Sequence, residues 1–135
     1  MALKDKRIFI IEDNIDNRII IQVLLEQNGA QTAFERWGGA DSIRRLHEFS
    51  QIDLIILDLM FPNQVTGYDV FDRVRREAEF ALVPIVAVSA SDPTTEIPRL
   101  REKGFAGFIA KPVDYDLFPR QLVKIINGES VWYTK

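Results

Sequence analysis

The chain switches repeatedly between short unbroken apolar runs and longer stretches where apolar side chains recur every three or four residues. Four runs are clear: Ile8 to Ile11, Leu54 to Leu57, Ile85 to Val88 and Phe108 to Ala110. A run without alternation suits a strand covered on both faces, as in a parallel sheet between helices. Gln31 to Phe34 reads as a weaker strand, and polar Gln31, Thr32 and Glu35 place it at a sheet edge.

The intervening stretches predict helices. Asp16 caps one that runs to about Asn28, with Ile19, Ile20, Val23, Leu24 and Gln27 on one face and Asn28-Gly29 as its stop. A second spans Ala40 to Phe49, with Ala40, Ile43, Leu46 and Phe49 on one face, after a Trp37-Gly38-Gly39 loop. A third runs from Gly67 to about Glu79 over a buried stripe of Val70, Phe71 and Val74. Asp92 to Lys103 reads as helical only in part. Pro98 falls inside it and would break it, so a helix from near Ile97 to Lys103 is expected. Gly104 and Gly107 bracket a turn into the last run. Asp116 caps the last helix, with Pro119 in its first turn, Leu122, Val123 and Ile126 facing inward, and Asn127-Gly128 at its end.

Strand and helix thus alternate five times. This predicts an α/β fold: a doubly wound, five-stranded parallel sheet with right-handed crossovers in a (βα)5 three-layer sandwich. The flavodoxin-like order 2-1-3-4-5 is one of the two common solutions; it fits five strands and makes the first and third neighbours at the switch point.

Composition narrows the class. The 135 residues suit one domain, 1–135, with its core at 6–128 and a tail at 129–135. Hydrophobic residues make up 47%, enough to reject disorder. A formal charge of -3 gives no general attraction to nucleic acid or an anionic membrane. With no cysteine, disulfides and thiolate metal sites are excluded. No apolar run approaches the ~20 residues of a membrane span. The segment Met1 to Arg7 lacks the apolar core of a signal peptide, so a cytoplasmic location is expected.

The chemistry collects at the strand ends. The first strand is followed by Glu12 and Asp13, the third by Asp58, the fourth by Ser89 and the fifth by Lys111. In a parallel sheet these ends lie along one edge, where open α/β sheets bind ligands. Each residue alone has a plainer reading: a turn aspartate, a helix-entry acidic pair, a loop hydroxyl or a solvated ammonium. Their convergence points further. Clustered carboxylates share protons or hold a cation, and oxygen ligands without thiolates select a hard ion such as Mg²⁺. A carboxylate beside Mg²⁺ can act as a nucleophile toward phosphorus.

With Glu12-Asp13, Asp58 followed by Met60 and Pro62, Ser89-Ala90 and Lys111-Pro112, the sequence resembles the receiver domain of two-component response regulators over residues 6 to 128. The resemblance implies that Asp58 accepts a phosphoryl group from a histidine kinase or a histidine phosphotransfer protein. Glu12, Asp13, Asp58 and the Met60 backbone carbonyl would arrange Mg²⁺, the only cofactor implied, and Lys111 would pair with a phosphoryl oxygen. Ser89 and the aromatic Phe108 would form the conformational switch, and the Lys111–Pro112 bond would be cis. Phe108 also has the plainer reading of a core aromatic. The chain would not be a conventional enzyme, although it would catalyse its own phosphorylation and slow dephosphorylation. It would change how it binds an unknown downstream protein, and homodimerisation stays open. Only residues 129–135 follow the last helix, so a stand-alone receiver is expected.

The chain departs from that family in places. The loop Asn63 to Thr66 is one residue longer than usual and should bulge beside the site. Phe108 lacks the hydroxyl of the tyrosine often found there. Met60 and Ser91 stand where the family tunes hydrolysis of the acyl phosphate, and neither is an acid or amide, which implies a long-lived phospho-form. Two other classes stay in view: a receiver-like interaction module that never uses phosphate, and a haloacid-dehalogenase-like phosphatase. The phosphatase would carry an acid two residues after Asp58, where this chain has Met60. His47 reads as a solvated or half-buried side chain, and Arg73, Arg75 and Arg76 as a solvated basic face. Trp132 and Tyr133 read either as partner-docking residues or as a frayed or locally packed terminus.

Overall fold

The computed structural model describes residues 1–135. Its strands are β1 (Arg7–Ile11), β2 (Gln31–Glu35), β3 (Leu54–Leu57), β4 (Ile85–Ser89), β5 (Gly107–Ala110) and β6 (Val131–Tyr133). The helices are α1 (Ile15–Gln27), α2 (Ala40–Phe49), α3 (Gly67–Arg75), α4 (Pro93–Lys103) and α5 (Phe118–Ile126). All strand pairs are parallel, in the order β2-β1-β3-β4-β5-β6. The expected 2-1-3-4-5 order is present, and β6 extends it beyond β5.

The unbroken apolar runs follow from two-sided burial. Phe9, Ile11, Ile55, Leu57, Ile85, Ala87 and Phe108 point to the face covered by α2, α3 and α4. Ile8, Ile10, Leu54, Ile56, Val86, Val88 and Ile109 point to the face covered by α1 and α5. Each strand therefore contributes to two cores, and each fully buried Ile or Leu adds ~1.5–3 kcal/mol. β2 is an edge strand with an exposed or half-buried pattern, as its polar residues predict.

Several local expectations change. Asn14, not Asp16, caps α1, its side chain accepting from the Asn17 backbone N–H at 3.0 Å. The predicted apolar stripe of α1 is not its buried face. Ile21 and Leu25 enter the core, whereas Ile19, Ile20 and Val23 stay 43–48% exposed. A helix that is apolar almost all round offers no single stripe for periodicity to select. On α2 the inward residues are Ile43 and Leu46, with Ala40 exposed. The third helix ends at Arg75 and is followed by a 3-10 turn, Ala78–Phe80.

Pro98 does not break α4. The helix starts at Pro93 behind the Asp92 cap and continues to Lys103, closed by Gly104 in the left-handed region. Proline removes one hydrogen bond, and burial of Leu100 together with both caps outweighs that loss. At α5 the capping role falls to Asp114, whose carboxylate accepts from the N–H groups of Asp116 and Leu117, each at 2.9 Å. Its inward residues are Phe118, Leu122 and Ile125, with Val123 and Ile126 half-buried. Finally, Val131–Tyr133 is a parallel strand beside β5 and not a frayed end.

Candidate functional site

The parallel register aligns the C-terminal ends of β1, β3, β4 and β5 in that order, with Ile11 opposite Leu57, Leu57 opposite Ala87 and Ser89 opposite Ala110. Glu12, Asp58 and Lys111 therefore leave their strands at one rim, although 99 residues separate the first from the last. The Lys111 ammonium donates to Glu12 Oε1 at 2.7 Å and to Asp58 Oδ2 at 3.1 Å. Asp58 Oδ1 accepts from the Leu59 backbone N–H at 2.6 Å. Glu12 is only 3% exposed, and its Oε2 has no hydrogen-bond partner.

This packing separates two neighbouring acids. Burial, with further contributions from the neighbouring Asp58 carboxylate, raises the Glu12 carboxyl to about 7 against the pull of Lys111. Burial also pushes Asp58 upward, but the neighbouring Glu12 carboxyl, the Lys111 charge and the hydrogen bonds from Leu59 and Lys111 outweigh it, so Asp58 lies below its usual value. Asp58 is thus the ionised acid of the pair near neutral pH.

The other predicted residues are placed as follows. Asp13 lies on the same rim but pairs with Arg36 Nε at 3.2 Å. As arranged, no three acidic or histidine side chains stand close enough together to share a metal ion. Ser89 is buried at the end of β4, and its hydroxyl accepts from the Ser91 backbone N–H at 3.1 Å. Phe108 is fully buried against the α4 face of the sheet. The Lys111–Pro112 bond is cis. The Met60 side chain is 73% exposed, and its backbone bridges to Thr66 across a small hairpin. The Asn63–Thr66 loop turns there through Asn63 and Gln64, both at positive φ.

Two residues escaped the sequence reading. Arg36 immediately follows β2, and the pairing of Ile11 with Glu35 sets it beside Asp13. The predicted strand order already placed that end of β2 next to β1. Gly67 begins α3 against the Asp58–Leu59 backbone. A Cβ there would overlap the Asp58 carbonyl oxygen and stand 2.8 and 2.9 Å from Leu59 atoms. Glycine thus lets the capped helix start pack onto the backbone that carries Asp58, and the Gly67 N–H donates to the Leu59 carbonyl at 2.9 Å.

The family model of the response regulator receiver domain matches residues 8–126. The chain belongs to that family. It is 30% identical over 115 residues to the polar-differentiation response regulator DivK of Brucella ovis, covering 84% of this chain and 89% of the relative. It is 28% identical over 129 residues to the CAI-1 autoinducer sensor kinase/phosphatase of Vibrio cholerae, covering 95% of this chain but only 17% of that protein. In structure it is similar to the receiver domain of a Pseudomonas aeruginosa sensor histidine kinase, crystallised with a magnesium ion in its active-site cleft. There the TM-score is 0.77 at 24% identity, over 92% of this chain and 99% of that one. Receiver domains serve two-component signalling, so the chain is a signalling module of that kind, and the reading as a phosphate-independent interaction module is not favoured. No helix is long and apolar enough to cross a membrane.

The residues present suit a hard cation. Glu12 and Asp58 supply oxygen donors, Glu12 Oε2 is buried without a partner, and a cationic group already lies between the two acids. Lys111 supplies that positive charge here. Asp13 would have to leave Arg36 to join.

Proposed function

We propose that the chain, acting as one receiver unit over residues 1–135, takes a phosphoryl group onto Asp58 from a phosphohistidine. The observation that carries this is the half-buried Lys111 ammonium held between the buried Glu12 and an ionised Asp58 at the rim of the sheet. Asp58 Oδ2 attacks phosphorus, an O–P bond forms as the N–P bond breaks, and the imidazole leaves with the electron pair and takes up a proton. Lys111 is within one hydrogen bond of that oxygen and is placed to follow the phosphoryl oxygens and neutralise their charge. Glu12, Asp13, Asp58 and the Met60 carbonyl would hold Mg²⁺, whose contribution is further charge neutralisation on the transferring group. The Ser89 hydroxyl, now facing Ser91, would turn to a phosphoryl oxygen and draw the loop before α4 with it, and the buried Phe108 would report that shift to the α4 face.

The donor would be a sensor kinase or histidine phosphotransfer protein that docks by an apolar helical surface. Ile15, Ile19, Ile20 and Val23 of α1 are exposed together, and Ile20 lines a groove of about 300 Å³ with Tyr115, Pro112 and Lys111. A partner seated there would meet Lys111, whose ammonium contacts Asp58. The phospho-form is long-lived, because neither Met60 nor Ser91 is an acid or an amide that could orient an attacking water.

Intact mass with and without acetyl phosphate and Mg²⁺ tests this reading. One phosphate should be gained in the wild type and none in Asp58→Asn, with the label mapped to Asp58 and persisting for minutes or longer. Absence of label, or label elsewhere, overturns it. Loss within seconds overturns the lifetime.

A further inference from the structure

A receiver with five strands would leave β5 as an open edge with unpaired backbone groups. Here Val131–Tyr133 covers that edge in parallel, with Gly107 opposite Val131, Phe108 opposite Trp132 and Ile109 opposite Tyr133. Its side chains alternate between the walls. Trp132 joins the α4 side, where the Arg101 guanidinium lies 4.5 Å from the ring centre. Val131 and Tyr133 join the α5 side.

Three features mark this edge as a place made to receive a strand. First, Gly107 gives room. A Cβ there would overlap the Val131 carbonyl oxygen and stand 3.2 Å from the Val131 nitrogen and carbonyl carbon. The Gly107 backbone is extended and not left-handed, so its own conformation does not call for glycine. The missing side chain serves the approach of the neighbouring strand. Second, the hold is slight. β6 has three residues, all half-buried, and the Asn127–Ser130 segment that leads to it is exposed. Third, the groove distinguishes alternate positions: a cation and aromatic surface takes the middle ring, and apolar surface takes its two neighbours. Backbone pairing with pockets for alternate side chains is the chemistry of strand addition.

We propose that the β5 edge, walled by α4 and α5, is a strand-docking site occupied in cis by Val131–Tyr133. A partner takes it by strand exchange, supplying an extended segment with an aromatic side chain flanked by apolar ones. Occupancy in cis lowers the partner's apparent affinity by the fraction of time the edge is free. Strand exchange needs no phosphoryl group on Asp58, and the pairing of Phe108 with Trp132 joins this edge to the proposed switch.

The test uses the full chain and a labelled peptide with the sequence of residues 130–134, followed by fluorescence anisotropy. Trp132→Ala loosens the cis strand and should bind the peptide at least ~5-fold tighter than wild type. Adding Gly107→Ala to Trp132→Ala should remove that binding, because the new methyl group fills the space of the incoming carbonyl. Hydrogen exchange at residues 107–110 should speed up in Trp132→Ala and slow again when peptide is added. Equal binding by wild type and Trp132→Ala, or binding indifferent to Gly107→Ala, overturns the proposal. So does loss of the helical signal in Trp132→Ala, since the ring would then be holding the core together and not filling an exchangeable site.

Discussion

Replacing Lys111 by methionine keeps most of the side-chain volume and removes the charge between Glu12 and Asp58. Its cost is set by pH. In the wild type, Glu12 has a pKa of about 7 in the folded chain against 4.5 when unfolded. Between these values the folded state holds a proton that the unfolded state lacks, so stability falls as pH rises through that window and levels off above it. Without the ammonium, Glu12 faces the ionised Asp58 uncompensated and keeps its proton to higher pH. Below pH 7 both proteins carry a protonated Glu12, and the variant loses mainly the charge-assisted hydrogen bond to Asp58, ~1.5–3 kcal/mol. Above pH 7 the variant goes on losing ~1.4 kcal/mol per pH unit while the wild type does not. At about pH 8.5 the total reaches ~3.5–5 kcal/mol, within the range for breaking a buried ion pair. Urea unfolding in the presence of a chelator, at about pH 6, 7 and 8.5, would measure the difference. A gap that is the same at all three values refutes the reasoning. So does a gap that keeps its pH slope when Glu12→Gln is added to both proteins.

Three further outcomes are expected. Gly67→Ala forces a methyl group into the Asp58–Leu59 backbone and should destabilise the chain by ~1–3 kcal/mol while slowing labelling of Asp58; unchanged urea midpoints would contradict the close packing. His47 has one ring nitrogen 2.7 Å from Glu77 and the other 2.9 Å from Glu79, and these hydrogen bonds raise its pKa above 6.5. Its stabilising effect is complete below 6.5 and is lost as pH rises through the raised value, so melting temperatures of wild type and His47→Gln should differ most near pH ~5.5 and converge at high pH. Pro98→Ala gives the exposed middle of α4 an N–H where a helix needs one; the gain, at most ~3 kcal/mol, is reduced by the freer unfolded chain. It should slow hydrogen exchange across residues 93–103, and faster exchange would show that the proline shapes the helix.

Much of the molecule is legible without coordinates because two-sided burial writes itself as unbroken apolar runs. Leu54–Leu57 and Ile85–Ser89 could hardly be anything but inner strands, and their order put Glu12, Asp58, Ser89 and Lys111 on one rim. Helix faces were less readable. On α1 nearly every turn carries aliphatic residues, so spacing alone chose Ile19, Ile20 and Val23, and packing chose Ile21 and Leu25. At Pro98 a local rule was overruled by two caps and one buried leucine.

The amino-acid sequence by itself determined the alternation of strands and helices and the identity of the side chains at the strand ends. Those depend on which residues repel water and where such runs stop, and that property is local. Tertiary structure alone decided that Lys111 bridges Glu12 and Asp58, that Arg36 holds Asp13, and that Val131–Tyr133 lies along β5. Each of these is a meeting of groups far apart in the chain. Its energy depends on distance and burial, which no single stretch of sequence specifies.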